Sequence, residues 1–226
     1  LFAREGADVA IVFHSSDEDA KTTEGLIERE GGKALSLKGD IGDKSFCKQV
    51  IDRTRNKLGR LDVVINNAGE QHPTKDVEDI GEDQLRRSFQ TNVFGQVFLV
   101  QEALPHLEKG ASVVCTTSVT AYRGQDLLID YSSSKGAVVA LVRALSHKLA
   151  PHGIRVNGVA PGPIWTPLIP STFPKEKVEN FGKDTLLGRP GQPNEVAPAF
   201  LYLACEDASY VTGQVLHPNG GEAVSS

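Results

Sequence analysis

Short apolar runs alternate with amphipathic stretches along almost the whole 226-residue chain, and no other feature limits the fold so strongly. Val9 to Phe13, Ala34 to Leu37, Leu61 to Ile65, Ser112 to Thr116 and Ile154 to Val159 read as strands, with a last short one at Gln214 to His217. Helical patterns lie between them, at Asp17 to Glu30, Ser45 to Leu58, Glu82 to Leu107 (one long helix or two), Asp130 to Ala150 and Asn194 to Cys205. Strands separated by helices mean β-α-β units and a parallel sheet. Right-handed crossovers then place helices on both faces, so the expected class is α/β with a doubly wound parallel sheet. The rhythm breaks at Pro161 to Gly191, a Pro- and Gly-rich stretch with a charged helical piece near Lys175 to Lys183. A loop of that length inside a compact domain is often a lid or a binding loop. Its Trp165, Leu168, Ile169 and Phe173 need burial, which argues against a disordered insert.

Composition removes several function classes. The net charge of -5 and the scattered basic residues give no nucleic-acid footprint. No apolar stretch approaches the length of a membrane span. Cys47, Cys115 and Cys205 are far apart, and neither they nor the six histidines form a metal-ligand spacing, so no metal site is expected. This usage fits a reducing cytoplasm. The chain contains no methionine and no signal-peptide pattern. Leu1, Phe2 and Ala3 read as the last turn of a helix stopped at Gly6, so a cut N-terminus is expected.

Chemistry concentrates in Tyr131-Ser132-Ser133-Ser134-Lys135. On a helix, residues four apart share a face. An ammonium near a phenol favours the phenolate and lowers its pKa, which suits proton exchange near neutral pH. Alone, the pair could be an exposed helical couple. Ser118, however, follows the apolar run at Val113, Val114 and Cys115, thirteen residues upstream. In open α/β sheets ligands bind outside the carboxyl ends of the strands. Asp40-Ile41, Asn66-Asn67-Ala68-Gly69, Thr117-Ser118 and Pro161-Gly162-Pro163-Ile164-Trp165-Thr166 each follow one expected strand at that edge. Any one of them could be turn chemistry; four at one edge point to a site.

These segments resemble, in order and spacing, the short-chain dehydrogenase/reductase family. They run from Asn66-Asn67-Ala68-Gly69 and Thr91-Asn92-Val93 through Ser118, Tyr131 to Lys135 and Pro161-Gly162 to Thr212-Gly213-Gln214 and Asn219-Gly220-Gly221. The likeness covers essentially the whole chain as a single domain, residues 1–226. It is nearest to glucose-dehydrogenase-like bacterial oxidoreductases, through Glu70-Gln71-His72-Pro73 and Gly162 to Leu168. The resemblance implies a Rossmann-type fold. It implies that Tyr131 exchanges a proton with the substrate oxygen, Lys135 lowers its pKa and bonds the nicotinamide ribose, Ser118 holds the substrate oxygen, and Asn92 anchors a water. Asn67, Ala68 and Gly69 would line the adenosine side, and Asp40 and Ile41 the adenine. Pro161, Gly162, Ile164 and Thr166 would cover the nicotinamide. The hydride would belong to the cofactor.

The family also opens with a strand and a glycine-rich turn that seats the pyrophosphate on a helix N-terminus. Gly6, Gly25, Gly31 and Gly32 do not supply that spacing, so an N-terminally truncated Rossmann domain is expected. Family members selective for NAD carry an acid at the end of the strand that here is Val9 to Phe13. Phe13 takes its place, and His14 and Ser15 follow as possible donors to a 2′-phosphate. NADP is therefore favoured, with NAD the alternative. Val119, Thr120, Ala121, Tyr122, Gln125, Gln71, His72 and Trp165 are candidate substrate-pocket residues, the aromatics among them equally readable as core. The expected activity is interconversion of an alcohol and a carbonyl on a small-molecule substrate in the cytoplasm. Two alternatives stand beside it: an epimerase or dehydratase, which usually needs a longer carboxyl-terminal domain, and a truncated or non-catalytic binding protein. Apolar residues on several sides of the two long helices predict a homo-oligomer, a tetramer or dimer.

Overall fold

The computed structural model describes residues 1–222. Its order is β1 (Val9–Phe13), α1 (Asp17–Arg29), β2 (Ala34–Lys38), α2 (Lys44–Leu58), β3 (Val63–Asn66), α3 (Glu82–Phe89), α4 (Gly95–Ala103), β4 (Ser112–Thr116), α5 (Thr120–Arg123), α6 (Ile129–Leu149), β5 (Arg155–Val159), α7 (Leu168–Thr172), α8 (Lys175–Asn180), α9 (Pro193–Ala204) and β6 (Val215–Leu216). Local chemistry sets several ends. The Asp43 carboxylate accepts from the Ser45 N–H at the start of α2, and Gly59, at φ +91°, ends it. Helix α9 opens with Pro193 and a reciprocal Gln192–Glu195 capping box.

All strand pairs are parallel, and the architecture is α/β of the Rossmann type. Among the described residues the strands form two sheets, as expected of a Rossmann-type sheet without its first, central strand. One has the order β1-β2, the other β3-β4-β5-β6. In the larger sheet, Val64 lies opposite Val113, and Val113 opposite Val156. The main core is built on that sheet, with Val113, Val138, Val142 and Val156 fully buried under α6 and Leu99 and Ala103 contributed by α4. A second cluster, Val114, Val159, Val196, Phe200 and Leu203, lies beneath α9. Between β1 and β3 is a cavity of about 720 Å³.

Residues 1–7 close as the last turn of a helix stopped at Gly6, as expected: the Glu5 N–H donates to the Leu1 carbonyl at 3.2 Å, the Ala7 N–H to the Phe2 carbonyl at 3.1 Å, and Gly6 has φ +93°. The stretch from Glu82 to Leu107 is helical but interrupted by a π-helical turn at Gln90–Phe94. A π turn widens the backbone by one residue and is frequent at functional sites. Here it carries Asn92.

Candidate active site

Strand β4 ends at Thr116, and the chain turns at once into Ser118. Ser118 is buried, and its Oγ accepts from the Thr120 N–H at 3.2 Å and the Thr120 hydroxyl at 3.1 Å. With both bonds received, the Ser118 proton is free to be donated outward. Helix α6 presents Tyr131 and Lys135 on one face, as their spacing requires. Burial pushes the Tyr131 phenol above its ordinary value, and the Ser118 hydroxyl, within hydrogen-bonding reach, pulls it the other way. Against the lowered tyrosine pKa expected from the sequence, the direction in this structure is upward, because desolvation outweighs the Ser118 hydrogen bond.

Lys135 is almost fully buried. Its ammonium donates to the Thr116 carbonyl at 2.9 Å and lies 5.6 Å from the centroid of the Tyr131 ring. Burial pushes it down to about 8. Thr117 fastens the backbone at this point, its hydroxyl donating to the Lys135 carbonyl at 3.0 Å. A Cβ added to Gly69 would meet the Lys135 Nζ and the Asn92 Oδ1, both at 3.2 Å, so a glycine there lets the backbone lie directly over the ammonium.

Asn92 is fully buried in its π turn. Its amide donates to the Glu70 carbonyl at 2.9 Å and to Ser134 Oγ at 3.0 Å, and its oxygen accepts from the Glu70 N–H at 2.9 Å. The side chain thereby ties the loop after β3 to the Tyr131 helix. A second tie, missed in the sequence, is Asp130. Its buried carboxylate accepts from Ser88 Oγ at 2.5 Å, Gln84 Nε2 at 3.2 Å and the Tyr131 N–H at 2.8 Å. Gln84 also donates to Thr74 Oγ1 and the His72 carbonyl. An acid at a helix start is an ordinary signal, and only its burial marks it.

A family model described as enoyl-(acyl carrier protein) reductase matches residues 1–222. The oxidoreductase YhxC of Bacillus subtilis is 51% identical over 225 residues, covering 100% of this chain and 79% of its own length. The chain belongs to the short-chain dehydrogenase/reductase family. Other members resemble it closely. The chloroplastic NADPH-dependent aldehyde reductase 1 of Arabidopsis thaliana is 48% identical over 232 residues, with 100% of this chain and 81% of that protein covered. The glucose and ribitol dehydrogenase of Daucus carota is 46% identical over 230 residues, with 99% and 79% covered. Among solved structures, a short-chain dehydrogenase/reductase from Serratia marcescens superposes with a TM-score of 0.90 at 31% identity, covering 97% of this chain and 90% of that one. One from Burkholderia cenocepacia in complex with NADP gives 0.88 at 29%, covering 97% and 89%. This chain is accordingly an oxidoreductase of that family.

The other sequence candidates divide among the carboxyl ends of β1, β2, β3 and β5. Asn67, Ala68 and Gly69 are exposed at the end of β3, and Asn67 Oδ1 accepts from the Thr116 hydroxyl at 3.1 Å. Pro161, Gly162, Ile164 and Thr166 are half-buried at the end of β5. Gly162 packs so closely on Asn219 that a Cβ would lie 2.6 Å from its Cα. His14 and Ser15 are exposed after β1. Asp40 lies on their side, engaged by Arg87, whose guanidinium bonds it at 2.6 Å and Glu70 at 3.0 Å. Ile41 points the other way, partly buried against the core and lining the cavity between β1 and β3. Of the pocket candidates, Val119 and Thr120 are buried, and Tyr122 packs edge-on against His217 at 4.8 Å. Trp165 stays partly open on the Pro161 to Gly191 loop, near Phe181. The buried Gln71 ties down that loop through a 2.9 Å bond from its amide to the Thr172 hydroxyl on α7. Among the described residues no group of three or more His, Cys, Asp or Glu could hold a metal ion.

Proposed function

We propose that the chain interconverts an alcohol and a carbonyl, with NADP favoured over NAD as its cofactor. The observation that supports this best is the Ser118 hydroxyl beside the Tyr131 phenol, with the Lys135 ammonium buried under the same helix face. The nicotinamide half of a cofactor fits the residues present. Gly69, without a side chain, leaves Lys135 Nζ uncrowded, and Pro161, Gly162, Ile164 and Thr166 follow β5, two strands from β3 in the same sheet. Asn67 and Ala68 would line the adenosine side and Asp40 would face the adenine, with Ile41 beneath. His14 and Ser15 would meet a 2′-phosphate, since no acid stands at the end of β1 to repel it. The NADP-bound family member supports that reading.

When bound, the nicotinamide supplies or accepts the hydride. Everything else falls to this chain. Ser118, its oxygen already receiving two bonds from Thr120, donates to the substrate oxygen and fixes it beside Tyr131. In the reducing direction Tyr131 gives its phenolic proton to that oxygen; in the oxidising direction it takes the proton back. Lys135 holds a positive charge next to the developing phenolate and bonds the nicotinamide ribose. Asn92 would keep the proton path to solvent in place, by a water and by clamping Glu70. A single-domain, cytoplasmic homo-oligomer is part of the same proposal.

The test is Tyr131→Phe in an NADPH-dependent carbonyl reduction. Proton transfer by a placed side chain contributes about 10²–10⁴ in rate, so turnover should fall by that amount with thermal stability kept. In the unaltered protein, kcat/KM for reduction should decline as pH rises through about 8, where Lys135 loses its proton. Retained turnover in Tyr131→Phe would overturn the proton-transfer role.

A further inference from the structure

Tyr131 stands in the first turn of its helix. The first N–H groups of a helix have no partner within it, and α6 lacks a side-chain cap because its N-cap residue is Leu128. Lys135 lies one turn deeper, where Thr116 and Thr117 hold it. The phenol therefore rides on the less supported end of the helix. The Tyr131 N–H donates to the Asp130 carboxylate at 2.8 Å. A bond to the preceding residue steadies the turn only if that carboxylate is itself held from outside the helix.

Helix α3 supplies that hold. Asp130 is 2% exposed, and its Oδ2 accepts from Ser88 Oγ and from Gln84 Nε2, the latter at 3.2 Å. Gln84 does more than satisfy a buried charge. The same Nε2 donates to Thr74 Oγ1 at 2.9 Å and to the His72 carbonyl at 3.3 Å. One amide nitrogen thus lies among three acceptors from two segments, the start of α6 and the loop after β3. Thr74 closes the circuit, its N–H donating to the Leu127 carbonyl at 2.9 Å just before α6. The other end of this loop is fixed at Glu70 by Asn92.

We propose that Gln84 is a positioning residue for the proton transfer: through Asp130 it fixes Tyr131, and through His72 and Thr74 it locks the loop carrying the pocket candidates Gln71 and His72 to the same helix start. The inference rests on the alcohol–carbonyl reading above, and Gln84 itself touches neither reacting group. A proton passes between side chain and substrate only over a hydrogen-bond length. A displacement of about 1 Å caused far from the chemistry can cost about 10²-fold in rate. Gln84 therefore acts on kcat. It leaves the cofactor residues at the ends of β1, β2 and β5 alone, because none of its three acceptors belongs to them.

The experiment measures kcat and KM for NADPH-dependent carbonyl reduction, and amide hydrogen exchange at Tyr131, in the full chain. Gln84→Leu cuts the circuit at its centre. Thr74→Val cuts the loop side alone and leaves Asp130 its three donors. The expected kcat losses are about tenfold in Gln84→Leu and about threefold in Thr74→Val, with KM for NADPH within about twofold of the parent. The two cuts lie on one path, so the double variant should lose about tenfold rather than the roughly thirtyfold of independent effects. Tyr131 amide exchange should quicken about fivefold in Gln84→Leu, the size of one net hydrogen bond, with Val113 and Val138 unchanged. Arg86→Ala, exposed on the same helix and bonded to Glu82, should match the parent. A residue serving stability alone would lower the melting temperature and leave kcat well below that temperature unchanged. That result, a fully multiplicative double variant, or unchanged exchange at Tyr131 would overturn the proposal. Tyr131→Phe separates the two readings. Turnover retained there sinks the proton-transfer reading, whereas turnover lost there but full in Gln84→Leu sinks the role of Gln84 alone. The exchange readout needs no substrate, so it decides the positioning even in a chain that reduces none of the carbonyls offered. Where Gln84→Leu does not fold, Thr74→Val decides: a parental kcat in it overturns the proposal.

Discussion

Strands β1 and β4 are both five residues long with apolar centres, Val-Ala-Ile-Val-Phe and Ser-Val-Val-Cys-Thr, yet they live in different surroundings. Four of the five residues of β4 are buried, and all five of β1 are only half-buried. Apolar content cannot explain this. Strand β4 has a neighbour on each side, whereas β1 has one and faces a cavity on the other. The candidate site divides along the same line. Ser118, Tyr131, Lys135 and Asn92 belong to the β3–β6 sheet and its helices, and hold one another through Thr116, Thr117, Thr120 and Glu70. His14, Ser15 and Asp40 belong to the β1-β2 pair. The two parts meet through contacts such as Arg87 on Asp40 and Glu70, Gln90 on the Gly42 carbonyl, and Gly95 beneath Ile41. The proposed proton-transfer residues are organised within one sheet, while the proposed adenosine side depends on how β1 is held.

Native-state hydrogen exchange would break this comparison most directly. Opening free energies range from near zero at poorly supported segments to the global value in core strands. Amides of Val113 and Val114 should exchange about a thousandfold more slowly than those of Ala10 and Val12, a difference near 4 kcal/mol at 1.4 kcal/mol per tenfold. Equal protection would mean that the two sheets open as one cooperative unit and that the division has no energetic content.

The strands and the site were legible for different reasons. Each strand declares itself by local apolar content, and Tyr131 and Lys135 by their spacing. The separation into two sheets was legible only through the family resemblance, whose first strand is missing here; the apolar content of β1 does not report it, because pairing is a non-local property. The interruption at Gln90–Phe94 was hidden as well. A π turn leaves the apolar periodicity of Phe89, Val93 and Val97 close to that of an ordinary helix. The upward pull on Tyr131 depends on burial, which the spacing does not report. Asp130, Ser88 and Gln84 lie up to 46 residues apart in sequence, and polar residues at that separation give no pattern to read.

That buried cluster sharpens the comparison from the other side. Asp130→Asn keeps the shape but puts an amide where Ser88, Gln84 and the Tyr131 N–H all donate. At least one donor then faces a donor, and an unsatisfied buried group costs about 1–3 kcal/mol. Urea unfolding should show a loss of about 2 kcal/mol. Exchange at Ala10 and Val12 should change little, because the damage lies in the β3–β6 part. A stability equal to the parent's would show that the network does not tie Tyr131 down.

The smallest effect belongs to the bridge between the two parts. Burial alone would raise the Asp40 carboxyl, but the Arg87 guanidinium and the Gly42 N–H outweigh it and hold it below the ordinary 3.8. A carboxyl depressed in the folded state adds stability that is present above 3.8 and is lost as pH falls through the lower folded value. Arg87→Gln removes the charge and lets Asp40 return toward 3.8 or above it. The acid loss of stability should then begin at higher pH in the variant. Both side chains are about a third or more exposed, so the difference at neutral pH should be only a few tenths of a kcal/mol and should shrink in high salt. Turnover at saturating substrate and cofactor should stay the same, while apparent affinity for the nucleotide weakens, because the proposed function puts Asp40 at the adenine and not at the reacting atoms. A fall in saturated turnover would instead mean that Arg87 acts through Glu70 on the Asn92 clamp, and that the two parts of the molecule are coupled where the proton moves.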